Sequence, residues 1–415
     1  MHFLILIMLA LCVGATGGAQ AAGLALVGGK LYASPDAAAA ERATILVEEG
    51  VIAAVGGPEL AVPEGYEVLD VSGQVVVAGF WNSHVHFLEE PYRQAARKPA
   101  AGLSAALAAH FTRWGFTTVF DVASLPGDAI ALRKRIALGE VIGPQILTVD
   151  APFFPDHGTP VYVKDLFARL KVPTFEVKDA AAARARAAAQ LGSGADGVKV
   201  FAGAIVAGED GGIGVLPMKV PIARAVAAEA HKAGKPSFAH PTDFSGLQVA
   251  IDSGVDVLVH TTPNGGPWSA AFAKSLVAED MALIPTLTLV EVEARREGLP
   301  DAILARGVAA ASQQVKIFLE QGGQLLFGTD AGYTDVYDPL REYQLMAAAG
   351  MDWRQILASL TTHPSKRFGQ SHRKGRVVAG MDADFVVLQV DPGTKVDAFA
   401  KVALTIRAGR VIHRP

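Results

Sequence analysis

The chain of 415 residues carries 37 basic and 41 acidic side chains, a formal net charge of −4, and 51% of its residues are hydrophobic. This composition excludes a disordered, collagen-like or coiled-coil protein, and the length allows roughly two or three domains or one large barrel with an appendage. Because the net charge is slightly negative and no run of like charges is present, nucleic acid is not expected as a partner.

The amino-terminal residues 1–21 have the pattern of a secretory signal peptide. The apolar run Phe3–Val13 precedes Ala19-Gln20-Ala21, whose small-x-small form is typical of a signal-peptidase site. The run is too short for a transmembrane helix, which needs about 20 apolar residues. We therefore expect an exported protein, periplasmic or secreted, whose mature chain starts near Ala22.

Cys12 is the single cysteine of the chain and lies inside this apolar run. Cleavage near Ala22 would leave a mature chain that has neither a disulfide nor a catalytic thiol. Membrane attachment is expected only if Cys12 is lipidated, and Leu11 before it is larger than the residue that a lipobox requires. The sequence leaves the oligomeric state open, a homo-oligomer included.

Short strands separated by glycine-rich turns are predicted at both ends of the mature chain. They occupy residues 22–78 and 373–415, which we expect to form one small β-sandwich domain together. Helices are predicted in the intervening region over Leu103–Trp114, Asp179–Leu191, Pro221–Ala233 and Asp301–Gln321.

Residues 79–372 alternate such helical stretches with short β-branched runs. The eight strand candidates are Val75–Phe80, Thr117–Val122, Gln145–Val149, Gly197–Phe201, Ser237–His240, Val255–His260, Ala282–Leu287 and Leu325–Gly328. Eight such units predict a (β/α)8 TIM barrel, an α/β fold whose active site lies at the carboxyl ends of the strands. A doubly wound sheet is the alternative, but no Gly-x-Gly-x-x-Gly turn follows the first strand.

Two histidines, His84 and His86, follow the first predicted barrel strand. In extended backbone, side chains two residues apart lie on the same side, so the two imidazoles could bind one metal ion. A His-x-His pair alone is explained as well by chance or by a hydrogen-bonded pair in the core. Its position at a strand end favours the metal interpretation.

Three more candidate ligands, His240, His260 and Asp330, also lie at predicted strand ends. Each could instead be structural, the histidines as buried core residues and Asp330 as a helix N-cap. A barrel would bring these strand ends into one ring, where imidazole and carboxylate ligands suit zinc or another divalent first-row metal. Five candidate ligands at four strand ends favour a single metal centre.

Lys199 lies within the apolar run Gly197–Phe201, where an unpaired ammonium would be costly. One interpretation is a buried lysine that pairs with a carboxylate such as Asp330. The other is that its amine has reacted with carbon dioxide to give a carbamate able to bridge two metal ions. Burial lowers the pKa of a lysine and so favours the neutral amine that this reaction needs.

Taken together, these motifs resemble those of the amidohydrolase superfamily over nearly all of the predicted mature chain. The resemblance includes Val77–Phe80 on the approach to His84, and the closing segment Gly380–Val387. Within the superfamily, the chain is most similar to the branch that contains the imidazolonepropionases and the metal-dependent Xaa-Pro-type dipeptidases.

The resemblance implies a binuclear metal centre, with zinc as the expected metal. Its ligands would be His84, His86 and Asp330 for the first ion, His240 and His260 for the second, and a carbamylated Lys199 between them. A hydroxide shared by the two ions would attack the substrate carbonyl. Asp330 would take the proton of that hydroxide and pass it to the leaving amine, as general base and then general acid.

The expected activity is hydrolysis of an amide or peptide bond in a small molecule: a dipeptide, an N-acyl amino acid or a cyclic amide. The alternative is a mononuclear-metal deaminase or an imidazolonepropionase-like ring hydrolase. Asp243 stands where the deaminase pattern has glutamate, which weakens deamination. A binding protein that had only kept the barrel would be expected to have lost ligands, and none is missing.

Two further residues are candidates for substrate binding. Tyr333 could donate a hydrogen bond to a substrate carbonyl or its oxyanion, and His157 resembles the place where related dipeptidases bind substrate. Both could equally be packing or loop residues. The glycine-rich segment Ala207–Gly214 predicts a mobile loop over the site; it is not a phosphate-binding loop, because the lysine and hydroxyl of that motif are missing.

Overall fold

The computed structural model describes residues 22–208 and 211–415. The predicted signal peptide, residues 1–21, lies outside the described residues together with Cys12, so export and lipidation stay predictions. Within the part of the chain that the structure describes, no helix is long and apolar enough to cross a membrane.

Both ends of the described chain contribute to one mixed sheet of eight strands. These strands are β1 (Gly23–Leu31), β2 (Ala40–Glu48), β3 (Val51–Gly56), β4 (Tyr66–Asp70), β5 (Val75–Ala78), β18 (Phe385–Leu388), β19 (Val402–Arg407) and β20 (Arg410–His413). They follow the order β20-β19-β18-β5-β1-β2-β3, and β4 pairs with β1. Leu26, Ile45 and Phe385 belong to the hydrophobic core of this domain.

Both chain ends, which the sequence predicts to form one β-sandwich domain, contribute strands to this sheet. Strand β5 pairs with β1 on one side and with β18 on the other, so it joins the strands of the two chain ends. The described strands of this region therefore form a single connected sheet.

Parallel strands make up the central region. They are β6 (Phe80–Val85), β7 (Phe116–Asp121), β8 (Gln145–Thr148), β11 (Val198–Phe201), β14 (Ser237–His240), β15 (Val257–Val259), β16 (Ala282–Ile284) and β17 (Gln324–Leu325). The first three form one sheet and the other five a second. Backbone hydrogen bonds link the two sheets at both junctions, from Phe153 N to Lys199 O at 2.8 Å and from Ser83 N to Phe327 O at 2.7 Å.

Helices connect these strands and cover them. They are α1 (Ala100–His110), α2 (Asp128–Ala137), α3 (Val161–Leu170), α4 (Ala180–Gly192), α5 (Val220–Lys232), α6 (Phe244–Ser253), α7 (Ala270–Ala278), α8 (Leu287–Arg296), α9 (Asp301–Glu320), α10 (Leu340–Ala348), α11 (Trp353–Leu360) and α12 (Thr362–Arg367). Asp179 caps α4 by accepting hydrogen bonds from the amides of Ala181 and Ala182, which explains where that helix begins.

The first predicted barrel strand, Val75–Phe80, is wrong in its bounds. Val75–Ala78 is β5 of the sheet formed by the two chain ends, residues 22–78 and 373–415, which we call the end domain. The central strand β6 begins only at Phe80. Gly79 separates the two because a Cβ atom at this position would collide with the side chain of Thr117. One continuous apolar run therefore contributes strands to two different sheets. Its hydrophobic pattern does not show where the first strand ends and the second begins.

Two further sheets have two short strands each. Strand β9 (Phe154–Pro155) pairs in parallel with β10 (Glu176–Val177), and β12 (Gly203–Ala207) pairs with β13 (Ile213–Pro217) in antiparallel register. Of the segment 207–214, expected to be a loop over the site, residues 207, 213 and 214 belong to β12 and β13.

Candidate metal centre

Strand β6 and the segment after β17 position the first group of candidate ligands. His84 lies within β6 and His86 directly follows it. The amide of His86 donates to the carbonyl of Ala331 at 2.8 Å, and the amide of Asp330 donates to the carbonyl of His84 at 3.0 Å. Because these hydrogen bonds tie the two segments together, the three side chains are brought to one point.

The three ligand atoms meet closely. His84 Nε2 lies 3.2 Å from His86 Nε2, and the two atoms lie 2.9 Å and 2.8 Å from Oδ1 of Asp330. All three side chains are buried. Bond lengths of about 2.0–2.1 Å in a tetrahedral zinc site imply ligand atoms roughly 3.3 Å apart, close to these separations.

The hydrogen bonds of His86 show why a cation fits between these atoms. Its Nδ1 lies 2.7 Å from the carbonyl oxygen of Ala123, which can only accept, so Nδ1 carries a proton. On a neutral ring, Nε2 is then an acceptor that faces the carboxylate of Asp330 at 2.8 Å. Two facing acceptors require a cation, either an additional proton or a metal ion, and this donor set suits a divalent metal.

His240 and His260 lie beside this group. His240 ends β14 and His260 directly follows β15. The ring centroid of His260 is 4.6 Å from that of His84 and 4.8 Å from that of His240. Among the described residues, the ligand atoms that all lie within 4.8 Å of one another here are those of His84, His86 and Asp330. The structure thus places the two further histidines next to this group, outside its tightest part.

Lys199 is the second residue of β11 and is 1% exposed. Burial lowers the pKa of its amine to about 8, against the attraction of Asp330 and Asp121. Its Nζ lies 5.2 Å from the ring centroid of Phe201. The Asp330 carboxylate pairs with His84 and His86, and among the described residues Lys199 forms no ion pair of its own. The amine of Lys199 therefore loses its proton more readily than that of an exposed lysine.

The protonation states suit metal binding. Burial lowers the pKa of His84 to about 3 and holds the pKa of both His240 and His260 well below its usual value. Burial alone would raise the pKa of Asp330, but the imidazoles of His84 and His86 outweigh it and hold that pKa well below its usual value. Neutral imidazoles around an ionised carboxylate are the forms that bind a metal.

Unusual backbone conformations cluster at this site. His260, Thr286 and Asp330 have φ angles of 76°, 45° and 60°, in the left-handed region that costs a non-glycine residue of order 1–3 kcal/mol. Gly332, with φ of 95°, cannot be replaced freely, because a Cβ atom would collide with the carbonyl of His86. Such strain is typical of functional sites.

The candidate ligands open into a cavity of about 750 Å³, within the range of small-molecule sites. Its lining residues include His86, Lys199, His240, His260, Asp330 and Tyr333. A cavity of about 910 Å³ near Gln324 and Arg367 is larger, but none of the candidate ligands lines it. Because the candidate ligands line the smaller of these two cavities, that cavity is the candidate active site.

Of the two predicted substrate contacts, the structure brings only Tyr333 to the cavity. His157 is directed outward beside Asp156, with 88% of its side chain exposed. Its φ of 58° and the hydrogen bond from Gly158 N to Pro155 O place it in a tight turn. The structure thus places His157 in an exposed turn, outside the lining of this cavity.

Asp243 has a structural role. Its Oδ1 accepts a hydrogen bond from the amide of Gly246 at 3.1 Å, which makes it the N-cap of α6. Since the carboxylate at the deaminase position is used as a helix cap, the structure adds to the argument against deamination.

Sequence reasoning missed three charged residues of the cavity, Glu293, Arg296 and Glu297. Glu293 and Arg296 lie on α8, and Glu297 directly follows this helix. Helix α8 follows β16, one of the central strands without a predicted ligand. Arg296 donates to Glu293 at 2.7 Å and lies 5.2 Å from the ring centroid of Tyr333. Their spacing of three and four residues places them on one helical face, and this was the only local signal.

Fold and site together define a hydrolase of carbon–nitrogen bonds, and the comparison with known proteins agrees. The sequence profile of the Amidohydrolase family matches residues 75–412, so the chain belongs to the amidohydrolase family. The chain is also similar to a dihydroorotase of Mycobacterium tuberculosis, 39% identical over 84 residues. That match covers 20% of this chain and only 18% of the dihydroorotase.

Solved structures similar to the whole described chain include a prolidase candidate from Bifidobacterium longum, with 25% identity, a TM-score of 0.79 and 95% coverage of both chains. A Xaa-Pro dipeptidase with methionine bound in its active site has 20% identity and a TM-score of 0.79, over 95% of this chain and 100% of that one. Molinate hydrolase has 21% identity and a TM-score of 0.78, over 94% of both chains. The last two similarities concern the fold alone.

Proposed function

We propose that the protein is a metal-dependent amidohydrolase that cleaves an amide bond of a small molecule: a dipeptide, an N-acyl amino acid or a cyclic amide. The observation that carries this proposal is the meeting of His84, His86 and Asp330 with acceptor atoms 2.8–3.2 Å apart beside a cavity of about 750 Å³. Membership of the amidohydrolase family supports it.

The proposal includes a closed (β/α)8 barrel. The hydrogen bonds that join the two parallel sheets at both junctions support one continuous ring of strands. In such a ring, the strand ends that carry the candidate ligands converge at one face, where barrel enzymes have their active sites.

The proposed centre holds two zinc or other divalent ions. His84, His86 and Asp330 would bind the first ion, and His240 and His260 the second. Lys199 would bridge them after its neutral Nζ attacks carbon dioxide, forms an N–C bond and releases one proton. The burial of Lys199 and its pKa of about 8 support this reaction.

A divalent metal ion bound at this centre would lower the pKa of a water molecule and polarise the substrate carbonyl. Asp330, held ionised by its two histidines, would accept a proton from the attacking water and then donate it to the leaving nitrogen. The Tyr333 hydroxyl, on the cavity wall, would donate a hydrogen bond to the carbonyl oxygen as negative charge develops there.

One observation favours a mononuclear alternative. Among the described residues, the tight group of ligand atoms at this site consists of those of His84, His86 and Asp330, which would suffice for one ion. A single-metal deaminase or imidazolonepropionase-like ring hydrolase would use such a centre. The N-cap role of Asp243 argues against the deaminase form of this alternative.

The deciding experiment is the metal content per chain, measured by elemental analysis on the purified protein and on Lys199→Ala. Lys274→Ala, an exposed lysine of α7, is the matched control. The proposal expects about two ions in the original chain and in the control, and one or none in Lys199→Ala. One ion that is unaffected by Lys199→Ala would favour the mononuclear alternative, and no metal at all would contradict the proposal.

We also propose that the protein is exported to the periplasm or secreted, on the basis of residues 1–21 alone. Mass spectrometry of the amino terminus of the exported protein tests this. A chain that begins near Ala22 is expected, whereas an intact Met1 on exported material would contradict cleavage.

A further inference from the structure

One wall of the active-site cavity is apolar and is built from three separate elements. Phe154 comes from β9, Phe167 from α3 and Phe201 from β11, and all three are at most 7% exposed. Ile205 and Val215 of the β12–β13 hairpin continue the wall. We call these five residues the apolar wall.

The apolar wall begins at a candidate metal ligand. The ring of Phe201 stacks on the imidazole of His240, with centroids 4.7 Å apart and an interplanar angle of 21°. Phe154 meets Phe201 edge to face at 4.8 Å, and Phe167 lies 6.3 Å from Phe154. An aromatic surface thus leads directly from the proposed reaction centre to helix α3.

The hairpin side of the wall leaves apolar surface uncovered. Ile205 and Val215 are cross-strand partners and only half-buried. Ile213, which lines the same cavity, is 74% exposed. When a ligand covers large apolar side chains that are exposed beside an active site, the burial of their surface makes binding more favourable.

The charged side chains of the cavity, other than the candidate metal ligands, come from α8 and from Glu297, which directly follows it. Glu293, Arg296 and Glu297 line the cavity there, and Arg296 is paired with Glu293. The cavity is therefore two-sided, with one apolar wall and one charged wall. A substrate that fits both has an apolar group on one side of its scissile amide.

We propose that the apolar wall is the subsite for a bulky aromatic or aliphatic group of the substrate. The inference rests on the proposed function and narrows its substrate class to amides with such a group. A cavity of about 750 Å³ is far larger than an acetyl group requires. Burial of each additional CH2 group against the wall should raise kcat/KM about fourfold until the subsite is filled.

N-acetyl-, N-butyryl-, N-hexanoyl- and N-phenylacetyl-L-alanine provide a direct test. All four release alanine, so one assay measures them all, and only the acyl group changes. We expect kcat/KM to rise along the alkanoyl series by about fourfold for each CH2 group. Equal values for acetyl- and hexanoyl-alanine would overturn the inference.

The variant Ile205→Asp places a charge in the apolar wall on a half-buried hairpin residue. Val68→Asp, at a 52% exposed position of β4 outside the cavity, is the matched control. Ile205→Asp should lower kcat/KM for hexanoyl-alanine at least tenfold and for acetyl-alanine less than threefold, while Val68→Asp changes neither. An equal loss for both substrates would contradict the subsite.

A binding measurement separates the subsite from the reaction. The neutral apolar dye N-phenyl-1-naphthylamine should bind to the original chain and to Val68→Asp, be displaced by hexanamide but not by acetamide, and bind at least tenfold more weakly to Ile205→Asp. If this holds while none of the alanine derivatives is hydrolysed, the subsite stands and the proposed hydrolysis of N-acyl amino acids fails. Displacement by both amides alike, or unchanged dye binding to Ile205→Asp, would overturn the subsite whether or not hydrolysis occurs.

Discussion

The hydroxyl of Thr286 lies 2.7 Å from Nδ1 of His260 and itself donates to the carbonyl of Pro285 at 2.8 Å. Nδ1 must therefore donate, which leaves the Nε2 lone pair of His260 available to a metal ion.

Glu342 of α10 accepts hydrogen bonds from Leu287 N at 2.8 Å and Thr288 N at 2.7 Å, directly after Thr286. The orientation of a candidate ligand thus depends on contacts distant in sequence.

Thr286→Val removes this hydroxyl with almost no change in shape. Because outer hydrogen bonds orient metal-binding histidines, we expect metal affinity to fall about 10–100-fold. Competition with a chelator measures the affinity. Thr394→Val, in an exposed turn of the end domain, is the control and should not change it. An unchanged affinity in Thr286→Val would show that His260 needs no such partner.

Asp330→Asn keeps the shape of the side chain but removes its charge and its ability to accept a proton. We expect kcat to fall about 10²–10⁴-fold, the usual contribution of a general base, and the metal content to drop as well. Asp335→Asn, at an exposed position nearby, should behave like the original enzyme. A loss of less than fivefold in Asp330→Asn would refute the proposed role.

Glu342 should make stability depend on pH. Burial raises the pKa of its carboxyl to about 7 from the ordinary 4.5, although hydrogen bonds from Thr288 and Leu287 oppose the shift. A raised pKa means that the folded state holds the proton more tightly, so this contribution is complete below pH 4.5 and is lost as pH rises through 7. The loss amounts to at most about 3 kcal/mol.

Urea denaturation at pH 5 and pH 8 tests this dependence. Glu342→Gln cannot titrate, so the stability difference between the two pH values should become smaller than in the original chain. Glu320→Gln, at an exposed position, should leave the difference as it is. If the two variants have the same pH dependence, another group is responsible.

The two residues predicted to bind substrate should behave differently. Tyr333→Phe removes a hydroxyl from the cavity wall and should lower kcat/KM at least tenfold, since a single oxyanion donor contributes about 10²–10³-fold in favourable cases. His157→Ala changes an exposed side chain outside the cavity and should stay within twofold. Steady-state kinetics on one substrate compares the two variants. A larger loss of kcat/KM in His157→Ala than in Tyr333→Phe would favour His157 as the substrate contact.

The local sequence was sufficient to place most candidate ligands. His84 and His86 could be found because side chains alternate along a strand, and His240, His260 and Asp330 because each ends an apolar run. Patterns of this kind depend only on neighbouring residues. The match of the Amidohydrolase family confirms the suspected family.

The sequence misjudged features that depend on contacts between distant segments. The apolar run around Gly79 is shared by two sheets because the chain passes close to Thr117 there. His157 lies outside the lining of the cavity, in a turn with a positive φ that no hydrophobic pattern signals.

By itself, the sequence determined the periodic strands and helices and the residue types able to bind a metal. Only the tertiary structure decided which of these side chains meet, how Thr286 orients His260, and that an apolar wall faces the charged residues of α8. The physical reason is that periodicity is a local property of the chain, whereas a site is made by packing and hydrogen bonds between segments far apart in sequence.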